Sequence, residues 1–369
     1  MDRRQFIAST TAASLAALMP KVAFADTLFA PKPGAWRSVD LITKLEIAKP
    51  EGAMQAWIPL PSVSETEWSR PGETRWTGNA AKVERVRDPK YGAEMLHVIW
   101  KTDEFMPRVE VTSRVATRDR AVDLDKPGNA PPLSAAERSL YLEGTDLIPV
   151  DGIVKQTSDK IVADAKASTD IAKARAIYEW VVENTVRVAA TRGCGTGDIA
   201  AMLKSGNLGG KCADLNALYV GLARAAGLPA RDVYGLRVLP SQFGYKSLGV
   251  GSLNVTKAQH CRAEVFLNGF GWVPVDPADV RKVMLEEPPA NLGLNDPKVV
   301  AARKALFGAW EGNWIAYNVA HDVALPGGAT HPKLGFLMYP QAERESLLLD
   351  CLDPDNFRYA LLAKEATPA

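Results

Sequence analysis

The stretch that most constrains this chain runs from Asn207 to Arg231. A Gly209-Gly210 pair leads into Cys212, after which Leu215, Leu218, Tyr219, Leu222 and Ala226 recur at helical spacing. One face of the resulting helix must therefore be buried. Gly227 stands where a C-terminal cap belongs, and Pro229 follows it. Cys212 thus falls at or just before the first turn. The unpaired amides and the dipole of a helix N-terminus favour a thiolate over a thiol. Lys211 adds positive charge beside it. This alone does not make a reactive residue, because free cysteines are among the most buried residue types and most are inert.

A second stretch supplies the partners, Gln259 to Pro277. Residues 260–267 alternate as a strand: Cys261, Ala263, Val265 and Leu267 take one face, His260, Arg262, Glu264 and Phe266 the other. Cys261 should then face the core and point away from Cys212, with no disulfide between them. Asn268-Gly269 reads as a hairpin turn, and the return strand carries Trp272, Val273 and Val275 to Asp276-Pro277. A cysteine nucleophile needs a base, and the base needs an orienting acceptor. The register decides whether Asp276 can be that acceptor. A two-residue turn pairs His260 with Pro277 and turns Asp276 to the opposite face. A three-residue loop, Leu267 to Gly269, pairs Phe266 with Phe270 and sets His260 opposite Asp276. A triad requires the odd loop or a bulge.

These local patterns resemble the transglutaminase-like superfamily, whose core is related to papain-like enzymes. The resemblance lies in Gly-x-Cys-x-Asp opening a helix, Leu-Ala-Arg-Ala-Ala-Gly-Leu-Pro-Ala-Arg closing it, His-x-x-x-Glu on a strand and Gly-Trp-Val-x-x-Asp-Pro on the next. It covers roughly half the chain. It implies Cys212 as nucleophile, His260 as base and Asp276 as the group that orients the base. Where the family commonly has Trp two residues after the His, this chain has Arg262. Lys211, Arg262 and Glu264 are the candidate substrate contacts. The resemblance implies acyl transfer through a thioester on a peptide or protein amide, released by water or by an amine; the sequence leaves both open. It implies no cofactor. Because relatives lacking the cysteine exist, a non-catalytic module that binds peptide in the same cleft is the competing reading.

Composition narrows the remaining classes. A net charge of +1 with no basic cluster argues against nucleic acid as partner. Four His and four Cys without Cys-x-x-Cys or His-x-x-x-His spacing argue against a metal site such as zinc. The glycines at 193, 195 and 197 do not form a dinucleotide fingerprint. The run from Ser205 to Lys211 fails as a phosphate loop, because Ser205 and Cys212 occupy positions that need Gly and Ser/Thr.

The chain then reads in order. Residues 1–25 resemble a twin-arginine export signal, with Arg3-Arg4, an Ala/Leu-rich stretch and Ala23-Phe24-Ala25 as cleavage site. The protein would work in the periplasm or outside the cell, with no stable membrane insertion after cleavage. Residues 26–36 read as a tether and 26–130 as an N-terminal β domain. Its β-rich segments are 39–47, 54–60, 93–100 and 108–116, and they suggest a small antiparallel sandwich. Asp125 to Pro132 is the linker. Residues 131–362 read as the transglutaminase-like domain, helices packed on an antiparallel sheet, so the expected class is α+β. Ser134 with Glu137 forms a capping box, and a helix spans about 172–185. Residues 230–239 read as a strand, 241–256 as a loop over the cleft, 281–297 as surface and 313–325 as another strand. His321 and Asp322 are neighbours on that strand and so cannot act as one unit. Residues 363–369 read as a disordered tail. Cys194 and Cys351 are free to pair or not; the sequence leaves this open.

Overall fold

The structure, a computed structural model, describes residues 29–329 and 331–366. The export segment expected at 1–25 lies outside them. The first part of the chain supplies β1 (Arg37–Ile47), β2 (Met54–Pro59), β3 (Ser69–Gly78), β4 (Lys82–Arg87), β5 (Glu94–Ile99), β6 (Arg108–Thr117) and β7 (Arg120–Ala121). Then come α1 (Ala135–Leu140), α2 (Gly152–Asp164), α3 (Asp170–Asn184), β8 (Val186–Arg187), α4 (Ile199–Ser205), β9 (Gly209–Gly210) and α5 (Cys212–Ala225). After β10 (Ala230–Arg237), β11 (Gln259–Leu267) and β12 (Gly271–Val275) follow α6 (Pro277–Glu286) and α7 (Pro297–Ala305). The chain closes with β13 (Ala309–Trp310), β14 (Trp314–Asn318), β15 (His321–Val323), β16 (Leu334–Phe336), β17 (Gln341–Arg344), β18 (Leu347–Leu348) and β19 (Phe357–Ala366). The class is α+β, as expected.

Two antiparallel sheets form the β-sandwich, in the orders β19-β1-β6-β3 and β18-β17-β2-β5-β4. Alternation explains their faces. On β1, Leu41, Thr43, Leu45 and Ile47 are buried while Lys44 and Glu46 are exposed. Leu45, Ile47, Val109 and Val111 of one sheet meet Met54, Ile58, Leu96 and Val98 of the other in one apolar cluster. The first part of the chain does not complete this sandwich. Strands β17, β18 and β19 return to it from the far end, so a boundary at residue 130 and a loose tail from 363 are both corrected. Ser38 pairs with Ala366 and Leu41 with Ala363. Without β19 the apolar β1 would be an open edge. The tether reading of 26–36 is corrected as well, because Phe29 is buried against Phe243 and Tyr245, with ring centroids 5.3 and 4.9 Å away.

The second core is the antiparallel sheet β12-β11-β10-β14 with α5 against it. Every residue of α5 is buried, because α2, α3 and α6 cover the faces that the sheet leaves open. Leu218, Tyr219 and Leu222 are fully enclosed, each worth about 2 kcal/mol of burial. α1 begins with the expected capping box: the Glu137 amide donates to Ser134 Oγ at 3.2 Å and the Ser134 amide to Glu137 Oε2 at 3.0 Å. The surface segment expected at 281–297 instead begins inside α6, whose Val283 is fully buried.

Glu264 ties the sandwich to this sheet. Its carboxylate is fully buried on β11 and receives Arg231 Nε at 2.5 Å and the guanidinium of Arg120 from β7. Arg231 also donates to Glu65 at 3.2 Å. Removing one partner of such a buried network leaves its cations uncompensated. Glu264→Ala should therefore destabilise the chain by about 3–5 kcal/mol, read as a lowered denaturant midpoint at unchanged slope. An unchanged midpoint would show that the network contributes nothing.

Candidate active site

The register of β11 and β12 settles which face Asp276 takes. Leu267 pairs with Gly271 and Ala263 with Val275, leaving a three-residue loop, 268–270, with Gly269 at φ +83°. The loop is odd, as a triad requires, but it lies one residue later than Leu267–Gly269. Carried one step further, this register sets Arg262, not His260, opposite Asp276. The His260 ring reaches diagonally across the same face. Its Nε2 lies 2.7 Å from Asp276 Oδ2. That leaves Nδ1 as the nitrogen available to the Cys212 sulfur, whose thiolate His260 favours.

α5 supplies more than the cysteine. Asn216, one turn after Cys212, donates from Nδ2 to Asp276 Oδ1 at 3.2 Å and to the Cys261 carbonyl at 2.8 Å. It holds the carboxylate against the helix that carries the sulfur. Asp214 accepts the amides of Thr196, Gly197 and Lys211 at 3.0, 3.0 and 2.9 Å. This pins the glycine loop over the helix start, and a Cβ at Gly195 would fall 1.8 Å from Asp214 Oδ2. Asp276 also caps α6, accepting the Asp279 amide at 3.0 Å.

Three groups around the dyad were not foreseen. Asp279 Oδ1 lies 3.3 Å from His260 Nε2 and also binds the Arg237 guanidinium. The pattern Asp-Pro-x-Asp at 276–279, an N-cap followed by Pro and an acid at the third position, is the signal that marks this second carboxylate. Asn216 could have been found as the residue four after Cys212. Cys261 was expected to point away from Cys212, and it does not. The core face of β11 is the one on which α5 packs, so facing the core means facing the Cys212 helix. Cys194, Cys212 and Cys261 lie in one buried cluster, and the Cys194 thiol donates to the Gln259 carbonyl at 3.4 Å. All four cysteines, Cys351 included, are free thiols.

The electrostatics follow from these contacts. The Cys194 and Cys261 thiols beside it favour the Cys212 thiolate and hold it well below the ordinary thiol range, and His260 adds to them against the cost of burial. Burial and Arg237 push His260 down, but Asp279 and Asp276 outweigh them and raise it to about 9. Burial resists charge on Asp279, yet Arg237 and His260 hold it well below the usual carboxylate range. Burial and the Asp279 charge push Asp276 up. The pattern is a thiolate facing an imidazolium, with the buried negative charge concentrated on Asp279.

His260, Asp276 and Asp279 offer donor atoms within 4.8 Å of one another, the spacing of a metal site. Arg237 already binds Asp279, and Arg262 Nε lies 3.6 Å from Asp276 Oδ2. Both carboxylates are thus already paired with guanidinium cations.

Of the three candidate substrate contacts, one lines the cleft. Lys211 is on its wall and donates to the Thr191 carbonyl at 2.7 Å. Arg262 and Glu264 are fully buried and do not line it, which corrects both. Arg262 turns inward because β13 and β14 present aromatic faces: its guanidinium lies 4.7 Å from the Trp314 ring centroid and 5.3 Å from that of Trp310. Tryptophan from a neighbouring strand thus backs the position where relatives commonly carry one. Glu264 belongs to the ion network described above. The expected strand 313–325 breaks into β14 and β15, and His321 and Asp322, neighbours on β15, take different partners as expected. His321 is buried beside Tyr234 Oη at 3.3 Å, and Asp322 accepts the Asp146 amide at 3.2 Å.

The cleft has a volume of about 850 Å³. Its walls are the glycine loop, residues 249–259 and the segment 351–359 at the start of β19. The loop over the cleft was expected; the wall supplied by the C-terminal strand was not.

Comparisons with known proteins place this architecture. The family model of the transglutaminase-like superfamily matches residues 155–277, from α2 to the first residue after Asp276. An uncharacterized protein of Haemophilus influenzae is 36% identical over 328 residues, covering 85% of this chain and 87% of its own length. A suspected cysteine protease from Cytophaga hutchinsonii superposes with a TM-score of 0.55 at 12% identity, covering 91% of this chain and 93% of that one. The periplasmic domain of TgpA from Pseudomonas aeruginosa aligns with a TM-score of 0.33 at 15% identity, over 68% of this chain and 95% of that domain. The matched segment carries Cys212, His260 and Asp276, and the chain belongs to the transglutaminase-like superfamily.

Proposed function

We propose that this protein is a cysteine-dependent enzyme that hydrolyses or transfers acyl groups at amide bonds outside the cytoplasm. The observation that supports this best is the Cys212 sulfur at the start of a buried helix, sharing a cleft large enough for a peptide with His260, whose ring Asp276 holds at 2.7 Å. Cys212 Sγ attacks the amide carbonyl carbon. The C–N bond breaks as the imidazolium gives its proton to the departing amine, leaving a thioester. Water or an amine then attacks the thioester, His260 takes its proton, and the thiolate leaves. Asp276 fixes the ring through Nε2, which leaves Nδ1 for the sulfur side. The amide of Cys212, as the first helical residue, has no intrahelical acceptor and is the candidate donor to the oxyanion. Export rests on the reading of residues 1–25. No helix among the described residues is long and apolar enough to cross a membrane.

The experiment is incubation with a peptide library with and without added amines, read by mass spectrometry. Gain of water, gain of amine or cleavage names the reaction. A library left unchanged while Cys212 remains unreactive would favour a binding module.

The pH profile carries its own test. The Cys212 thiolate is present above its depressed pKa, so labelling by iodoacetamide should be fast and nearly constant from neutral to alkaline pH. It should fall only in acid. The imidazolium is lost as pH rises through about 9, so kcat/KM should decline there. Labelling that rises tenfold per pH unit between 7 and 8.5 would show an ordinary thiol.

A further inference from the structure

The charge lining the cleft is one-sided, although the chain as a whole carries a net charge of only +1. No Asp or Glu lines it among the described residues, whereas seven Lys and Arg residues do. Four of these cations have acids set back from the cleft surface. Arg187 pairs with Glu286 at 2.5 Å, Arg192 with Asp350 at 2.6 Å, Lys282 with Glu286 at 3.7 Å, and Arg237 with Asp279. The other three, Lys211, Lys257 and Arg358, have no carboxylate partner among the described residues. Lys211 spends one donor on the Thr191 carbonyl, and Arg358 spends Nε on the Pro354 carbonyl at 3.0 Å. Lys257 is exposed on the loop that follows residues 249–256.

The backbone that carries two of these cations is held in place. The loop bearing Lys257 is stitched to β19, which bears Arg358. The Val255 amide donates to the Leu361 carbonyl at 2.8 Å, the Ala363 amide to the Leu253 carbonyl at 2.9 Å, and the Leu361 amide to Thr256 Oγ1 at 2.9 Å. Lys211 adjoins the sulfur itself. Cations on two walls and on the residue before Cys212, with no acid among the lining residues, focus a positive potential on the cleft.

We infer that the acyl substrate is anionic: a peptide-like amide that carries free carboxylates close to the bond attacked, which Lys211, Lys257 and Arg358 receive. This rests on the acyl-transfer reading for its place in the reaction, though not for the binding itself. Carboxylates fit these partners because each accepts several charge-assisted N–H bonds. An amide flanked by lysines would face like charge.

The test separates the two readings by measuring binding without chemistry. The full-length Cys212→Ala protein is titrated with fluorescent peptides that differ only in Glu against Gln, or in a C-terminal acid against a C-terminal amide. The two pairs distinguish side-chain from terminal carboxylates. Acidic members should bind at least about tenfold tighter at low salt, and the advantage should shrink as salt screens it. The double substitution K257Q/R358Q, on exposed side chains that leave the core untouched, should remove most of the advantage without weakening the neutral peptides. Equal binding of acidic and neutral peptides, preference for basic ones, or no binding of any would overturn the inference, even if the wild-type protein turns amides over. Acidic preference without turnover by the wild type would instead sink the acyl-transfer reading and leave the anionic ligand standing.

Discussion

Cys212→Ala should lower turnover by about 10⁴-fold or more while leaving the fold in place. Loss on this scale is expected because nucleophile and base act as a unit, so removing the sulfur also idles His260. The helix start does not depend on the sulfur. Asp214 still receives three backbone amides, Asn216 still holds Asp276, and the Ala213 amide still donates to the Cys194 carbonyl at 3.0 Å. The volume removed is one sulfur atom at the cleft wall, for which a stability change within about 1 kcal/mol is expected. Circular dichroism and a denaturant midpoint would check the fold, and single-turnover assays the chemistry. Cys212→Ser is the sharper companion. It keeps a polar atom at the same place, but a hydroxyl is not ionised by an imidazolium beside it, so it should be nearly as inactive. Full activity in Cys212→Ala would remove the nucleophile from this account. Activity in the serine variant comparable to wild type would remove the thiolate.

What was legible in the sequence was the part held by local rules. The helix from Cys212 shows itself through spacing and a glycine stop, and the structure places it at Cys212–Ala225. The face of Asp276 followed from parity alone: any odd hairpin loop puts it on the His260 side. The precise loop did not follow, because Leu267–Gly269 and 268–270 both place Gly269 where a left-handed residue is tolerated, and only packing chooses between them. The roles of Arg262 and Glu264 were illegible for another reason. Alternation says which face a side chain takes, but not whether that face is cleft or interior. Here β14 and β7 bring Trp314 and Arg120 over it from distant sequence. Strands β3 and β4 were missed because they lie mostly exposed, and β3 carries Pro71 and Gly72 at a register shift. The return of β19 is a long-range pairing that no local pattern encodes. It closes the sandwich and also builds one wall of the cleft.

Two buried carboxylates beside one imidazole make separable predictions. Asp276→Asn keeps an oxygen for the amide of Asp279 and for Asn216 but replaces Oδ2 with an NH₂ group, which cannot accept from His260 Nε2. The ring loses its 2.7 Å partner and must turn toward Asp279 Oδ1, at 3.3 Å. A cost of about 10²–10³-fold in kcat follows, less than the roughly 10⁴-fold seen when an orienting aspartate has no neighbour to replace it. Asp279→Asn leaves that short hydrogen bond intact, so kcat at the optimum should fall only about tenfold. Its mark should appear in the pH profile. Asp279 raises His260 by its charge, and without it the Arg237 guanidinium is left uncompensated beside the ring. Loss of that negative charge disfavours the imidazolium, so the alkaline limb should move down from about 9. The same change should leave Cys212 less fully ionised near neutral pH, because its counter-ion has weakened. Measuring kcat/KM and iodoacetamide labelling against pH in both variants separates orientation from charge. An alkaline limb that stays at about 9 in Asp279→Asn would show that this carboxylate serves only to hold Arg237 and the start of α6 in place.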